Sequence, residues 1–239
     1  MPSAPATFVL VHGAWCGGWC YGKVADILRA KGHRVFTPTL TGQGERSHLL
    51  TGAVNLSTHI DDVLGVLRWE GLNDVVLAGH SYGGMVVTGV ADRAPQQVAS
   101  LVYLDAFIPE DGQSVFDINI PANVQRYIAN AGDLGGLAIP PPPASYFNVN
   151  AADAPRVDAL ATACPLGCFS ERLKLTGKHR DIGKRTYVYA SERPSPSAFK
   201  PIYERVKDDP AWTAYALACG HHVMLDMPEK TAAILEAAI

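Results

Sequence analysis

The sequence predicts an α/β fold built on a doubly wound, mostly parallel sheet with a small helical cap inserted into it. Two observations predict the sheet: short β-branched runs alternate with longer amphipathic ones, and Gly, Pro or charged residues mark nearly every junction. A third predicts the cap, because the alternation fails once, over residues 109–184. With 239 residues, 48% of them hydrophobic and 18% charged, the chain is long and apolar enough for one full core.

Taken in order, the strands are expected at Thr7–Val11, Arg34–Pro38, Asp74–Ala78, Val98–Asp105, Thr186–Ala190 and Trp212–Leu217. Helices are expected at about 19–31, 58–70, 83–94, 197–207 and 228–239, where apolar residues recur at helical spacing. The stretch 109–184 holds Pro140–Pro143, Gly135-Gly136 and scattered aromatics without a βα repeat. A structureless loop of that length is implausible inside a compact domain, so it reads as a cap of small helices. Residues 1–108 and 185–239 form the two parts of the core, one structural domain overall. Ligands are expected at the carboxyl ends of the strands.

Composition excludes several classes of function. The net charge is −3, and the one basic-leaning stretch, Arg172–Arg185, is interrupted by Asp181 and reads as solvated surface, so no nucleic-acid partner is expected. Apolar runs are too short to span a bilayer, and the N-terminus has no positive region ahead of its first strand, so a cytoplasmic chain without a membrane partner is expected. Five cysteines without an export signal read as free thiols. Cys16/Cys20 and Cys164/Cys168 share a C-x3-C spacing, which differs from the shorter knuckles of zinc sites, so no metal is expected.

The chemistry centres on Gly79-His80-Ser81-Tyr82-Gly83, a G-x-S-x-G between the strand-like Val75-Val76-Leu77 and a helical run. That context makes a nucleophile elbow, with Ser81 lifted above the sheet at a helix N-terminus. A serine hydroxyl needs a base. Gly220-His221-His222, between the last strand and the last helix, supplies one; His221 is preferred because Gly220 suits a close-approach loop, and His222 is the reserve. The acid that orients the base is Asp105, at the end of the strand after the serine's helix, or alternatively Glu192, after the penultimate strand; both keep the order Ser, acid, His. Backbone amides of Ala14, in His12-Gly13-Ala14-Trp15, and of Tyr82 are expected to receive an oxyanion. Trp15, Phe107, Tyr146 and Phe147 are candidate pocket walls.

With these residues in place the chain resembles an α/β-hydrolase, similar to the branch of plant methylesterases, hydroxynitrile lyases and their bacterial esterase relatives. The likeness rests on "FVLVHGAWCGGWCYGKVADILRAKGHRVFTPTLTGQGER", "VVLAGHSYGG", "LVYLDAFIPEDGQS" and "GHHVMLDMP". It implies a cofactor-free serine hydrolase that cleaves a small carboxylic ester, or a related carbamate, amide or lactone, through an acyl-enzyme, with a small-molecule ester-like substrate as partner. The lyases of that branch carry a threonine after the first strand's histidine and a lysine after the catalytic one. Gly13 and His222 stand there in this chain, which argues against lyase chemistry. A lyase-like enzyme and a slow-turnover binder of small ligands are the alternatives.

Overall fold

The alternation of apolar runs becomes a six-stranded sheet in the computed structural model, which describes residues 5–193 and 196–239. In chain order the elements are β1 (Thr7–Val11), α1 (Gly22–Ala30), β2 (Arg34–Phe36), α2 (Leu56–Trp69), β3 (Val75–His80), α3 (Gly83–Arg93), β4 (Val98–Leu104), α4 (Val115–Ile118), α5 (Pro121–Ala131), β5 (Ala138–Ile139), α6 (Ala154–Leu160), β6 (Cys164–Pro165), α7 (Gly167–Ser170), β7 (Lys184–Ala190), α8 (Lys200–Val206), β8 (Thr213–Leu217), α9 (Val223–Asp226) and α10 (Pro228–Ala237). The strand order is β2-β1-β3-β4-β7-β8, with every neighbouring pair parallel.

Burial explains why the central strands read as continuous apolar runs. All six residues of β3 are buried, as are four of the five in β1, so both faces of the sheet centre are covered. Helix α1 packs on α10, and α2 on α3. Each fully buried Val or Leu in these layers contributes roughly 1.5–3 kcal/mol. The chain leaves β1 for β2 on one side and returns to β3 on the other, so the order switches at β1 and β3. A crevice opens there at the strands' carboxyl ends.

Several boundaries move for local reasons. The expected helix 19–31 divides into a 3-10 turn at Gly18–Tyr21 and α1, because a Cβ at Gly18 would lie 2.1 Å from the Thr37 carbonyl oxygen and the chain must turn there. Helix α2 starts two residues early, where the Asn55 side chain accepts from the Thr58 amide at 3.0 Å in a capping box. Strand β4 ends at Leu104, leaving Asp105 in the turn beyond it. Between β4 and β7 lie α4–α7 and an unforeseen antiparallel pair, β5 with β6. Among the described residues, all five cysteines are free and buried. No helix among them is long and apolar enough to cross a membrane.

Candidate active site

Backbone strain marks the site before any side chain is considered. Three non-glycine residues with left-handed angles, Trp15 (φ 65°), Ser81 (φ 54°) and Asp105 (φ 43°), lie just beyond β1, β3 and β4. Each such conformation costs on the order of 1–3 kcal/mol, so the surroundings must hold it in place. At Ser81 they do: its amide donates to the Leu104 carbonyl at 3.2 Å, and its own carbonyl accepts from the Gly84 and Phe107 amides at 3.1 and 3.2 Å. The flanking glycines are required by contact, since a Cβ at Gly79 would lie 2.5 Å from the Gly83 oxygen and one at Gly83 2.7 Å from the Val11 oxygen.

The bend presents the Ser81 hydroxyl to His221, with Oγ 2.9 Å from Nε2. His221 sits between β8 and α9. Its amide donates to the Phe147 carbonyl at 2.9 Å, and the preceding Gly220 amide donates to the Asp226 carboxylate at 2.9 Å. A Cβ at Gly220 would lie 2.0 Å from the Asn148 oxygen, so this loop does make the close approach anticipated for it. The imidazole is stacked between Phe147 and Phe199, at centroid distances of 5.5 and 5.3 Å. On its far side Nδ1 lies 2.6 Å from Asp105 Oδ2. Asp105 is fully buried, and its Oδ1 accepts from the Ala190 amide at 3.2 Å.

A cation completes the group. Arg193 Nη1 is 3.2 Å from His221 Nδ1 and 3.7 Å from Asp105 Oδ2, with the guanidinium over the Phe199 ring. The single proton on Nδ1 goes to the carboxylate, the stronger acceptor, so Arg193 acts on the ring as a neighbouring charge. Burial, then the Arg193 cation, hold His221 well below the ordinary histidine range, leaving it neutral and able to take a proton. Burial pushes the Asp105 carboxyl up to about 7, against the opposing pull of Arg193 and the Ala190 amide. His80 donates from Nε2 to the His221 carbonyl at 2.9 Å and braces the loop from beneath.

Facing the serine, the loop after β1 is pinned by His12, whose Nδ1 donates to the Gly13 carbonyl at 2.7 Å and whose Nε2 accepts from the Leu40 amide at 3.0 Å. Trp15 is held by its amide on Gln43 Oε1 at 2.7 Å and its indole on the Ile139 carbonyl at 2.9 Å. The amides of Ala14 and Tyr82 have no acceptor among the described residues. Two unpaired donors flanking a hydroxyl can receive a developing negative oxygen.

Of the candidate walls, Trp15 and Phe107 line the space beside Ser81, together with Asn119, Tyr127, Phe169 and Phe199. Tyr146 and Phe147 do not, because the 3-10 turn at Ala144–Phe147 lies behind the imidazole: Phe147 stacks on His221, and Tyr146 packs under the Arg126 guanidinium at 4.2 Å. Glu192 also stays apart. The chain turns after Ala190 so that its side chain is exposed, and among the described residues only its backbone bonds, to Cys219 and Asn148. His222 points away from Ser81 and lies beside Cys16 and Cys20. Arg193 and Phe199 escaped sequence reasoning, because neither carries a motif or spacing that ties it to Ser81. The space over Ser81 is about 20 Å³. A cavity of about 770 Å³ between the end of β2 and α2 is an open groove that shares no lining residue with it.

A parallel sheet with its switch point at such a serine defines a hydrolase architecture, and the chain belongs to the alpha/beta hydrolase family, whose profile matches residues 8–234. It is 43% identical over 240 residues to a carbendazim hydrolyzing esterase of Nocardioides sp. (strain SG-4G), across 97% of this chain and 99% of that one. It is 36% identical over 109 residues to methylesterase 2 of Arabidopsis thaliana, across 45% of this chain and 41% of the plant protein. Among solved structures, an extracellular alpha/beta-hydrolase from a Paenibacillus species, described as sharing structural and functional homology with tobacco salicylic acid binding protein 2, superposes with a TM-score of 0.85. Its identity is 25%, over 98% of this chain and 99% of that one. Within the family, this chain is an enzyme of the esterase type.

Proposed function

We propose that the chain is a serine carboxylesterase in which Ser81 is the nucleophile, His221 the general base and Asp105 the carboxylate that orients the base. The observation that carries this reading is the unbroken line from Ser81 Oγ through His221 to Asp105, with separations of 2.9 and 2.6 Å. As Ser81 attacks the ester carbonyl, its proton passes to His221 Nε2. The carbonyl oxygen becomes an oxyanion facing the Ala14 and Tyr82 amides, each worth about 10²–10³ in rate. His221 then gives its proton to the departing alkoxide, and the alcohol leaves an acyl group on Ser81. A water takes the alcohol's place, loses a proton to His221 and cleaves the acyl-enzyme.

The walls favour a small ester with an apolar or aromatic group. Free space of about 20 Å³ over Ser81 is roughly one water's worth, so the acyl group enters by rotation of aromatic side chains such as Phe169 and Tyr127. Gly13 leaves no room for a threonine there, because a Cβ at that position would meet His80 Nδ1 at 2.8 Å and Ser81 Cβ at 3.0 Å. Similarity to a carbendazim hydrolyzing esterase over nearly the whole chain makes carbendazim the first substrate to assay beside p-nitrophenyl butyrate.

Ser81→Ala is expected to abolish turnover and labelling by a fluorophosphonate. Asp105→Asn is expected to lower kcat on the order of 10³–10⁴-fold, whereas Glu192→Gln stays within about twofold of wild type. Wild-type rates for Ser81→Ala, measured on folded protein, would refute the reading. A large loss in Glu192→Gln with none in Asp105→Asn would move the acid to Glu192.

A further inference from the structure

One cluster of reactive side chains is left unused by ester hydrolysis. Cys16 lies in the loop after β1, Cys20 in the 3-10 turn Gly18–Tyr21, and His222 just ahead of α9. Their two sulfurs and one ring nitrogen of His222 all fall within 4.8 Å of one another, and all three residues are buried. His222 Nδ1 is buried without a hydrogen-bond partner among the described residues, although the ring is only 2% exposed. An unpaired polar nitrogen in such a place costs about 1–3 kcal/mol unless something satisfies it.

We propose that Cys16, Cys20 and His222 form a binding site for a soft divalent cation of the zinc type, which ties the loop after β1 to the loop after β8. Metal–sulfur bonds of about 2.3 Å and metal–nitrogen bonds of about 2.0–2.1 Å hold the ligand atoms roughly 3.5–4 Å apart. Atoms already within 4.8 Å therefore close by at most about 0.8–1.3 Å to take up a cation. Charge fits as well. On binding, each cysteine releases its S–H proton to solvent, two in all, and the two thiolates neutralise the divalent ion while the imidazole adds none. A buried site that ends electrically neutral avoids the cost of an uncompensated charge. Two sulfurs and one nitrogen select Zn²⁺ or Cd²⁺ over Mg²⁺ or Ca²⁺, which take oxygen ligands. The C-x3-C spacing alone did not suggest a site, because its third ligand comes from the far end of the chain.

The test is a Cd²⁺ titration of the full chain, stripped with chelator and kept reduced by a phosphine, read as the ultraviolet thiolate-to-cadmium band and as metal retained after desalting. One Cd²⁺ per chain is expected. Cys20→Ser and His222→Gln should each weaken binding roughly 100-fold or more, with the thiolate band reduced in Cys20→Ser. Cys168→Ser, which removes the other thiol that faces a histidine, His59, at 3.5 Å, should bind as wild type. Circular dichroism of the metal-free variants establishes that they fold; if Cys20→Ser does not, Cys16→Ser is read in the same way and decides. A wild-type protein without the band, affinity unchanged by loss of the cysteine, or binding that follows Cys168 would overturn the site.

Discussion

Arg193 stands within 4 Å of both partners of the proposed acid–base pair, and its charge acts on them with one sign. The guanidinium opposes a second proton on His221 and favours the Asp105 carboxylate, so it widens the pH range over which the base is free. Removing the charge should therefore raise both groups. Arg193→Gln is expected to move the acid limb of kcat/KM upward by about 1 pH unit while the plateau falls far less than in Asp105→Asn. Rate profiles from pH 5 to 9 check this; superimposable acid limbs would show that the cation does not bear on the base. Sequence order alone left Asp105 and Glu192 level, because both follow strands that end at the same edge. What separates them is a backbone angle, the left-handed turn at Asp105 that directs its carboxylate inward, and a single sequence does not display it.

Elements were legible where period and caps agreed, and illegible where short pieces depend on partners. Helices α2, α3 and α10 fall within a few residues of expectation: α2 and α10 bury residues at helical spacing, and α3 is buried at every position but Arg93. Of the helices in residues 109–184, α4, α6 and α7 are too short to carry a stripe and α5 buries only Tyr127 and Ala131, while the β5–β6 pair, at two residues a strand, carries no period at all. One buried anchor of its C-terminal end, at Thr176–His179, is a carboxylate on α3. Asp92, 4% exposed, accepts from the Thr176 amide at 2.6 Å, the Gly177 amide at 2.9 Å and His179 Nδ1 at 3.0 Å. Burial raises its carboxyl, but these donors outweigh burial and hold it far below the usual carboxylate range. Asp92→Asn turns one acceptor into a donor facing N–H groups, at a cost of about 3 kcal/mol. Urea unfolding at pH 7 should show that loss. Because a depressed carboxylate stabilises above its unfolded value and ceases to as pH falls through its folded one, the gap between wild type and variant should narrow below about pH 4.

At the scale of the whole molecule the sheet was readable from alternation alone, since fully buried parallel strands must be apolar on both faces. The site's walls were readable only in part: Trp15 and Phe107 follow strands at the site's edge, whereas Phe169 and Phe199 come from distant segments that carry no local signal. Assembling the site at the sheet's edge also buries imidazoles, and that sets how the protein responds to acid. Burial holds His12 down at about 4, and holds His80 and His221 well below the ordinary histidine range. A histidine kept neutral in the fold stabilises above its unfolded value of about 6.5, and that contribution disappears as pH falls toward the folded value. Asp105, raised to about 7, works in the opposite direction: its folded state holds a proton that the unfolded chain releases, so its contribution grows as pH falls from 7 toward about 4. Three imidazoles oppose one carboxyl, so on balance unfolding takes up protons as pH falls below about 6.5, and stability declines there. The midpoint of thermal unfolding, followed by circular dichroism, should therefore stay level from pH 8 to 7 and drop steeply from pH 6 to 5, before ordinary carboxylates titrate. Replacing His12 with Asn, which keeps a donor near the Gly13 carbonyl, should make that drop shallower by about one proton's worth. A midpoint that holds level down to pH 5 would mean that these imidazoles are already charged in the fold, and a charged His221 could not serve Ser81 as a base.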